Sequence, residues 1–288
     1  MELDEIAAFV AVADAGGFTA AARAVRIPKS SLSRRVAALE ARLGGALFRR
    51  STRHFSLTDL GASLHARCQA PVRELQAATS DLVTDDGELV GRCRITAPGA
   101  VGRHLLAPGV GALLAENPRL ACEINLVDRR VNLVEEGFDL ALRIGTLEDS
   151  TALTSRRVGD IRRVLCAAPA YLERAGTPAS LGDLARFEGL GSVAGQNVWE
   201  FGTAGIAHPS VRFVANDIEL LRIAALRGQG LAVLPRFLVA EDLAQNRLTQ
   251  VLQGTAPNTT QLTALWSARP LSRAMRVLID RLVAQLVD

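Results

Sequence analysis

The sequence predicts an α/β protein made of a small helical unit at the N-terminus, a linker helix and a larger unit of alternating strands and helices. Two observations carry this prediction. Residues 4–43 repeat apolar side chains at helical spacing, whereas from residue 92 onward short β-rich runs alternate with helical runs. With 288 residues the chain is long enough for about two domains, and its 49% hydrophobic content is sufficient for real cores.

Residues 18–43 are predicted to form two short helices joined by a turn at 26–28, behind a supporting helix at 4–15 that Gly16-Gly17 ends. Thr19 is expected to cap the first helix of the pair. In the second helix, apolar residues recur at steps of four, three and four and form one buried stripe: Leu32, Val36, Leu39 and Leu43. The opposite face carries small and cationic residues: Ser30, Arg34, Ala37 and Ala41, flanked by Lys29 and Ser33. A helix with such a face fits the major groove of DNA, as in a helix-turn-helix.

The charge distribution supports a DNA-binding unit. Residues 23–53 hold nine cations and one carboxylate, a net charge of +8, whereas the whole chain has a formal net charge of +3. The other residues therefore sum to −5, and the basic character is a local patch of the kind that phosphate contacts need. A basic run on a helix is more often only a solvated face. The helical spacing favours the DNA-binding interpretation here.

Residues 48–58 are expected to form a short hairpin, or wing, with an arginine-rich tip. A loop with solvated arginines is the alternative, because the segment has no Asn-Gly or Asp-Gly turn. Thr58-Asp59 is predicted to cap a linker helix whose apolar residues approach a heptad seam. Such a seam favours a second copy of the chain as partner, and Pro71 on it predicts a bend or an interruption.

From residue 92 the pattern becomes β-α-β-α-β. Strands are predicted at 92–98, 121–127 and 138–145. Between them we expect a glycine-rich turn at 99–102, an apolar helix that ends at 117–118, and a short helix at 131–136. This order predicts a parallel sheet with helices on its faces.

A second α/β unit follows, with a strand and a helix in 162–172 and a strand, an Asn-Asp cap, a helix and a strand in 211–235. The last strand, 262–268, and the helix 275–287 are expected to return to the first unit. Two lobes joined by two crossovers form a cleft that can close on a ligand. The predicted boundaries are 1–59 for the N-terminal unit, 60–87 for the linker helix, and 91–288 for the C-terminal unit, with lobe I at about 91–163 and 267–288 and lobe II at about 164–266.

Several classes of protein are disfavoured. No apolar run approaches the roughly 20 residues that span a bilayer, and the N-terminus is acidic where a signal peptide would be basic. We therefore expect a cytoplasmic protein with no membrane partner. The four cysteines form no Cys-x-x-Cys pair, which argues against zinc and against a disulfide framework, and we expect neither a metal nor a cofactor. Phosphate-loop, Gly-x-Ser-x-Gly and His-Glu-x-x-His motifs are absent, so no enzyme is expected.

With these segments placed, the sequence resembles a LysR-type transcriptional regulator over its full length. The highly specific part is residues 9–61, FVAVADAGGFTAAARAVRIPKSSLSRRVAALEARLGGALFRRSTRHFSLTDLG. DRRVNLVEEGFDLALRIGTLEDS, RRVLCAAPAYL and NDIELLRIAALRGQGLAVLP resemble the effector domain of one large branch of that family. The resemblance implies a winged helix-turn-helix and a two-lobed effector domain similar to periplasmic solute-binding proteins. It also implies a homodimer or homotetramer on interrupted palindromes of double-stranded DNA, with RNA polymerase as a further partner.

The resemblance assigns DNA-contacting residues as well. The predicted set is Thr19, Lys29, Ser30, Ser31, Ser33, Arg34 and Arg35, with Arg49, Arg50 and Arg53 in the wing. Many relatives have glutamine where this chain has Lys29, so an amide suited to adenine is replaced by a cation suited to guanine or phosphate. The preferred half-site is expected to differ accordingly.

The family's ligand cleft maps onto three segments of this chain. They are Pro98, Gly99, Ala100, Val101 and Gly102; Arg143, Gly145 and Thr146; and Asn216 and Asp217. Relatives often place a hydroxyl in the first segment, whereas this chain offers only backbone N–H groups there. Because helix N-termini bind anions through such groups, we expect a small organic effector such as a carboxylate.

Two alternatives stay open at this point. A solute-binding protein without a DNA function would share the two lobes, although the basic N-terminal unit disfavours it. A redox-sensing regulator would need two cysteines that can meet. The wide spacing of Cys68, Cys93, Cys122 and Cys166 favours buried thiols instead.

Overall fold

The computed structural model describes residues 3–25, 27–50, 55–82, 88–145, 153–192, 198–267 and 270–287. The chain divides into two compact units, residues 1–91 with 131–137, and residues 92–130 with 138–288. Each unit has its own apolar core.

Three helices build the start of the N-terminal unit: α1 (Leu3–Asp14), α2 (Phe18–Val25) and α3 (Lys29–Leu43). Gly16 adopts a left-handed φ of 67° after α1, as the predicted stop requires. The prediction that Thr19 caps α2 is wrong. The helix already begins at Phe18, and the Ala21 amide donates to the carbonyl of Gly17 at 2.9 Å. Thr19 is therefore an exposed residue of the first turn.

The predicted wing is confirmed as a hairpin of β1 (Phe48–Arg50) and β2 (Phe55–Leu57), which are antiparallel. The ring of Phe48 lies 5.3 Å from that of Phe9 and 4.7 Å from that of Phe55, measured between centroids. These aromatic contacts attach the wing to the core of the three helices. The tip, residues 51–54, lies outside the described residues.

The linker helix α4 (Asp59–Leu82) begins as predicted, because the Thr58 hydroxyl accepts a hydrogen bond from the Gly61 amide at 3.0 Å. Of the predicted bend or interruption at Pro71, the interruption is wrong, since α4 is one helix of 24 residues that contains this proline, and the bend stays a prediction. Proline removes one backbone hydrogen bond. The next residue, Val72, is buried in the N-terminal core, and this packing holds the helix together across the proline.

In the C-terminal unit, lobe I contains a five-stranded sheet in the order β4-β3-β5-β14-β6. The strands are β3 (Gly91–Ala97), β4 (Leu120–Leu126), β5 (Leu140–Ile144), β6 (Leu153–Ile161) and β14 (Thr260–Ser267). β3 and β5 run parallel, but β14 is antiparallel to β5 and β6, so the sheet is mixed and not parallel throughout as predicted. β6 escaped prediction because it is an edge strand whose residues 154–157 are polar and exposed. Since β14 starts at Thr260, lobe I resumes earlier than the predicted residue 267.

The helices of lobe I differ from prediction at two places. Residues 99–102 are helical, not a turn: α5 (Gly99–Val101) continues through a π-helical turn (Gly102–Leu106) into α6 (Ala107–Glu116). A Cβ atom on Gly102 would overlap the side chain of Leu126, so this glycine serves close packing on β4. Residues 131–136 form turns and no helix, because Gly137, with φ 66°, ends the segment after one turn. The last helix is α10 (Arg273–Val287).

Lobe II has a second five-stranded sheet in the order β11-β8-β12-β7-β13. The strands are β7 (Arg163–Ala167), β8 (Glu188–Ser192), β11 (Ser210–Ala215), β12 (Leu231–Pro235) and β13 (Thr249–Gln250), with a separate pair β9 (Trp199–Glu200) and β10 (Ile206–Ala207). The helices are α7 (Pro169–Ala175), α8 (Ile218–Leu226) and α9 (Arg236–Ala244), with 3₁₀ helices at Leu181–Arg186 and Gly202–Ala204. The chain passes between the sheets after β6 and after β13, so the predicted double crossover is confirmed.

None of the described helices is by itself long and apolar enough to cross a membrane. The pair α1 and α2 passes that test together, by length and composition only, with a bend of 114°. Both helices contribute residues to the N-terminal core.

Candidate DNA-binding face and ligand site

One face of α3 is exposed and carries the predicted polar and small residues: Lys29, Ser30, Ser33, Arg34, Ala37 and Ala41. The opposite stripe is buried as predicted at Leu32, Val36 and Leu39. Leu43 is the exception. It is 37% exposed because it is the last residue of the helix, directly before the left-handed Gly44.

The N-terminus of α3 has no side-chain cap. Pro28 occupies the cap position, and its carbonyl accepts from the amides of Ser31 (2.9 Å) and Leu32 (3.2 Å). The amides of the first helical residues lack intrahelical acceptors in any α-helix. A helix end of this kind favours a phosphate group both through its dipole and through its N–H groups.

The cationic residues around α3 fall into two groups. Three of them contact carboxylates of the same unit: Arg35 with Asp4 (3.5 Å), Arg42 with Glu5 (2.8 Å) and Arg49 with Asp59 (3.6 Å). Within the described part of the chain, Lys29 and Arg34 have no carboxylate partner, and Arg34 donates only a long hydrogen bond to the Ser31 hydroxyl, at 3.5 Å. The cations most available to DNA are therefore on the N-terminal half of α3.

The carboxylate within the basic segment has a structural role that the sequence did not reveal. Glu40 Oε1 accepts from the amides of Leu47 (2.8 Å) and Phe48 (3.4 Å). It thereby fixes the start of the wing against α3. Arg49 is exposed on the first wing strand. The side chain of Arg50, and Arg53 and His54 altogether, lie outside the described residues, so their predicted contacts stay predictions.

In lobe I, the predicted ligand segments lie at the carboxyl ends of the parallel strands β3 and β5. Arg143 Nη2 donates to the hydroxyl of the fully buried Thr96 at 3.3 Å, and Arg143 Nη1 donates to the Leu142 carbonyl at 2.7 Å. The guanidinium is thus held beside the strand that leads into Pro98. Ligands of α/β proteins commonly bind at this edge of a sheet.

Pro98 is the N-cap residue of α5 and supplies no side-chain hydrogen bond to the helix. Ala100 and Val101 are buried, so their side chains face the lobe and not solvent. The exposed Arg103 folds back toward this helix start, where its Nη1 would lie 2.9 Å from a Cβ on Gly99. A guanidinium beside the positive end of a helix makes the local field strongly attractive to an anion.

The remaining predicted ligand residues are distributed as follows. Gly145 adopts φ 93°, and its amide donates to the Gln261 carbonyl at 2.9 Å, which gives it a structural role. Thr146 lies outside the described residues. In lobe II, Asn216 is exposed and Asp217 caps α8 by accepting from the Glu219 amide at 2.7 Å.

The sequence prediction missed four polar residues at this site: Thr96, Arg103, His104 and Glu219. His104 Nε2 and Glu219 Oε1 are 2.7 Å apart, so this contact joins lobe I to lobe II beside the predicted segments. The two residues are 115 positions apart in sequence. Only the acidic first turn of α8 was a visible signal, and it did not identify the partner.

All four cysteine thiols have raised pKa values, chiefly because burial disfavours the thiolate. Cys93 and Cys122 lie on the neighbouring strands β3 and β4. Burial, with Asp139 nearby, raises the pKa of Cys122 to about 11, and burial raises that of Cys166 to about 12. Since the thiolate is the reactive form, these values argue against the redox-sensing alternative.

These features define a class of protein. The winged helix-turn-helix with an exposed cationic helix face is a DNA-binding unit, and the two crossed-over α/β lobes are a ligand-binding domain. Family models agree with this division. A model described as "Bacterial regulatory helix-turn-helix protein, lysR family" matches residues 3–62, and one described as "LysR substrate binding domain" matches residues 86–287.

Comparison with known proteins gives the family. The chain is 36% identical over 290 residues to the HTH-type transcriptional regulator PtxR of Pseudomonas aeruginosa, which covers 98% of this chain and 92% of PtxR. It is 33% identical over 290 residues to CrgA of Neisseria meningitidis, with 98% and 96% covered. The solved structure of CrgA, a LysR-type transcriptional regulator, matches 100% of both chains with a TM-score of 0.63 and 30% identity. The chain belongs to the LysR-type family of DNA-binding transcriptional regulators.

Proposed function

We propose that the N-terminal half of α3 reads the half-sites of an interrupted palindrome, with Lys29, Ser30 and Arg34 as the principal contacts. The observation that carries this proposal is the exposed helix face on which the two cations have no carboxylate partner within the described part of the chain. The uncapped helix N-terminus adds favourable phosphate contacts. Thr19, Ser31, Ser33, Arg35 and the wing arginines complete the proposed interface.

Self-association would occur through two separate apolar surfaces. In the N-terminal unit, α4 exposes Leu60 and Leu75 of the predicted heptad seam, whereas Leu64 and Cys68 of that seam pack on the unit's own core. In lobe II, the edge strand β11 exposes Phe213 and Val214, and the neighbouring helix α8 exposes Leu220 and Ile223. Exposed apolar side chains on neighbouring elements often mark an interface. One self-contact on each unit would allow a homodimer to assemble further into a homotetramer.

We further propose that a small organic anion, such as a carboxylate, binds at the start of α5 and changes the affinity of the regulator for its DNA. The amides at the helix start after Pro98, the guanidinium of Arg103 beside Gly99 and Arg143 at the end of β5 all favour negative charge. The chain would act in the cytoplasm by binding, without catalysis, and would recruit or exclude RNA polymerase at the bound sites.

The DNA-binding proposal can be tested with the full-length protein. Genomic footprinting would first identify bound sites, and fluorescence anisotropy would then measure affinity for a cognate duplex and a scrambled duplex. We expect Lys29→Ala to weaken binding to the cognate duplex by about 10-fold, which corresponds to about 1.4 kcal/mol. Arg186→Ala is the matched control, because it removes an exposed cation of lobe II that lies outside the proposed DNA-binding and self-association surfaces. Equal, unchanged affinity in both variants would exclude Lys29 as a principal contact.

The ligand proposal can be tested by a thermal-shift screen of small aromatic and aliphatic acids. A ligand present at 100 times its Kd adds about 2.7 kcal/mol to the free energy of unfolding. Arg103→Ala should weaken the affinity for an acid found in this way by about 10-fold, whereas Arg186→Ala should leave it unchanged. Since Arg103 is exposed, its loss should not affect folding. An acid that binds both variants equally well would place the site elsewhere.

A further inference from the structure

His104 is the lobe I side of a contact that joins the two lobes of the ligand-binding domain. Its Nε2 lies 2.7 Å from Glu219 Oε1 on α8, and its ring lies 6.1 Å from that of Phe237 on α9, measured between centroids. A single lobe I side chain therefore contacts two helices of lobe II. Its position beside Arg103 places it next to the proposed ligand site.

The backbone that carries His104 has an unusual conformation. Residues 102–106 form a π-helical turn, in which the Ala107 amide donates to the carbonyl of Gly102, five residues back. Such turns are rare, occur mostly as single turns inside α-helices and are frequent at functional positions. This turn lies between the start of α5, where the ligand is proposed to bind, and α6. The start of α5 is therefore separated from His104 by only about one helical turn.

On the lobe II side, Glu219 is held in place by its neighbours. Its side chain is only 18% exposed, and Arg222 Nη1 lies 4.0 Å from Glu219 Oε2. Arg222 in turn donates to the fully buried Asp242 at 2.5 Å, and Arg247 approaches the same carboxylate at 2.6 Å. These ion pairs join α8, α9 and the segment after α9. The carboxylate that meets His104 is thus mostly shielded from solvent and lies at the edge of this ion-pair network.

We propose that His104 and Glu219 form a latch that holds lobe I and lobe II together and thereby sets how open the ligand site is. The latch has one partner on each lobe. His104 lies two residues after the Pro98–Gly102 segment, and Glu219 lies two residues after Asp217. A ligand that displaces either residue would open the latch, and a ligand that leaves both in place would be enclosed by it. The latch proposal depends on the proposed function only because it names that ligand.

The test uses hydrogen–deuterium exchange on the full-length protein without any ligand, so its outcome is independent of whether an effector is found. His104→Ala should make the hydrogen-bonded amides of α8, within peptides covering 216–224, exchange about 10-fold faster. This readout is in the other lobe, so a purely local effect of the substitution would not produce it. Glu219→Ala should accelerate exchange in residues 99–107 in the same way.

Two further variants separate a latch from general destabilisation. His104→Gln keeps a nitrogen donor near the Nε2 position and should restore slow exchange in 216–224. The double variant His104→Ala/Glu219→Ala should be no faster than the faster single variant, because each substitution already breaks the same contact.

Two matched controls remove contacts of similar length elsewhere. His65→Ala breaks a histidine–carboxylate contact to Asp14 of 2.8 Å in the N-terminal unit, and Arg156→Ala breaks an ion pair to Asp280 of 2.7 Å within lobe I. Neither should change exchange in 216–224. Unchanged exchange in 216–224 after His104→Ala, or additive effects in the double variant, would overturn the latch while leaving the effector proposal intact.

Discussion

Arg34→Ala is the substitution that most directly tests how α3 recognises DNA. Arg34 is exposed and makes no ion pair within the described part of the chain, and its one hydrogen bond, to Ser31, is 3.5 Å long. Its loss should therefore change the free energy of unfolding by less than about 0.5 kcal/mol. If it contacts a base edge, binding to the cognate duplex should weaken by about 1–3 kcal/mol, roughly a 5- to 150-fold rise in Kd.

The assay is fluorescence anisotropy with cognate and scrambled duplexes at several salt concentrations. A base contact predicts that the cognate affinity falls much more than the scrambled affinity, so the specificity ratio collapses. A phosphate contact predicts that both affinities fall alike and that the slope of log K against log salt becomes shallower by about 0.9. Equal losses on both duplexes would refute base reading by Arg34 and transfer that role to Lys29 or Ser30.

Arg42→Ala is the matched control on the same helix. Arg42 lies 2.8 Å from Glu5, which is 5% exposed and whose Oε2 has no hydrogen-bond partner in the part of the chain that the structure describes. Its removal leaves a buried carboxylate without its cation. Because Arg42 itself is 44% exposed, we expect a loss of about 1–3 kcal/mol in the free energy of unfolding, below the value for a fully buried pair. The roles assigned to the two arginines would be refuted if Arg42→Ala lost DNA affinity but kept its stability while Arg34→Ala lost stability but kept its DNA affinity.

Three further predictions concern stability and thiol chemistry. Asp242→Ala should lower the free energy of unfolding by about 1–3 kcal/mol in urea melts at pH 7, below the value for a fully buried pair, because it leaves Arg222 and Arg247, whose side chains are 24% and 44% exposed, without their shared buried carboxylate. Burial alone would raise the pKa of Asp242, but the hydrogen bonds and charges of the two arginines hold it below its ordinary value. This stabilisation should therefore be present above about pH 4 and be lost as pH falls through the lower pKa of the folded state; equal wild-type and variant stability at pH 7 would contradict it. Pro71→Ala should raise the melting temperature by restoring a backbone hydrogen bond in α4, with up to about 3 kcal/mol gained; an unchanged or lower value would show that the helix is adapted to the proline. Folded protein at pH 7 should show no intramolecular disulfide on non-reducing electrophoresis after mild peroxide, because burial raises the pKa of thiols such as Cys122; a bridged species would restore the redox-sensing alternative.

The sequence predicted the helices of the N-terminal unit well because their apolar spacing is strong and local. The buried residues Leu32, Val36 and Leu39 were all identified from periodicity alone. The prediction that Leu43 is buried failed because periodicity does not report where a helix ends. The glycines at 99 and 102 misled prediction for a different reason, since a glycine pattern indicates a turn locally but Gly102 is required by its close approach to Leu126 on another element.

The sheet and the ligand site depend on contacts that local patterns do not contain. β14 joins the first sheet antiparallel to β5 and β6 after more than 90 intervening residues, so its direction could not be inferred from the β-α-β order. The contact between His104 and Glu219 spans 115 residues. In each case the sequence shows the residues themselves, but which strand or side chain each one contacts depends on the tertiary fold.

The structure also changes the meaning of the basic patch. Its net charge of +8 counts every cation equally, yet the described cations differ in how readily they can leave their present partners. Arg35 and Arg49 form exposed ion pairs with Asp4 and Asp59, and an exposed pair is worth at most about 1 kcal/mol. Either arginine can therefore exchange its carboxylate for a phosphate at small cost. Arg42 cannot, because its departure would leave the buried Glu5 uncompensated. Arg42 thus holds the reading helix in place, and the contribution of the patch to DNA affinity is smaller than its net charge suggests.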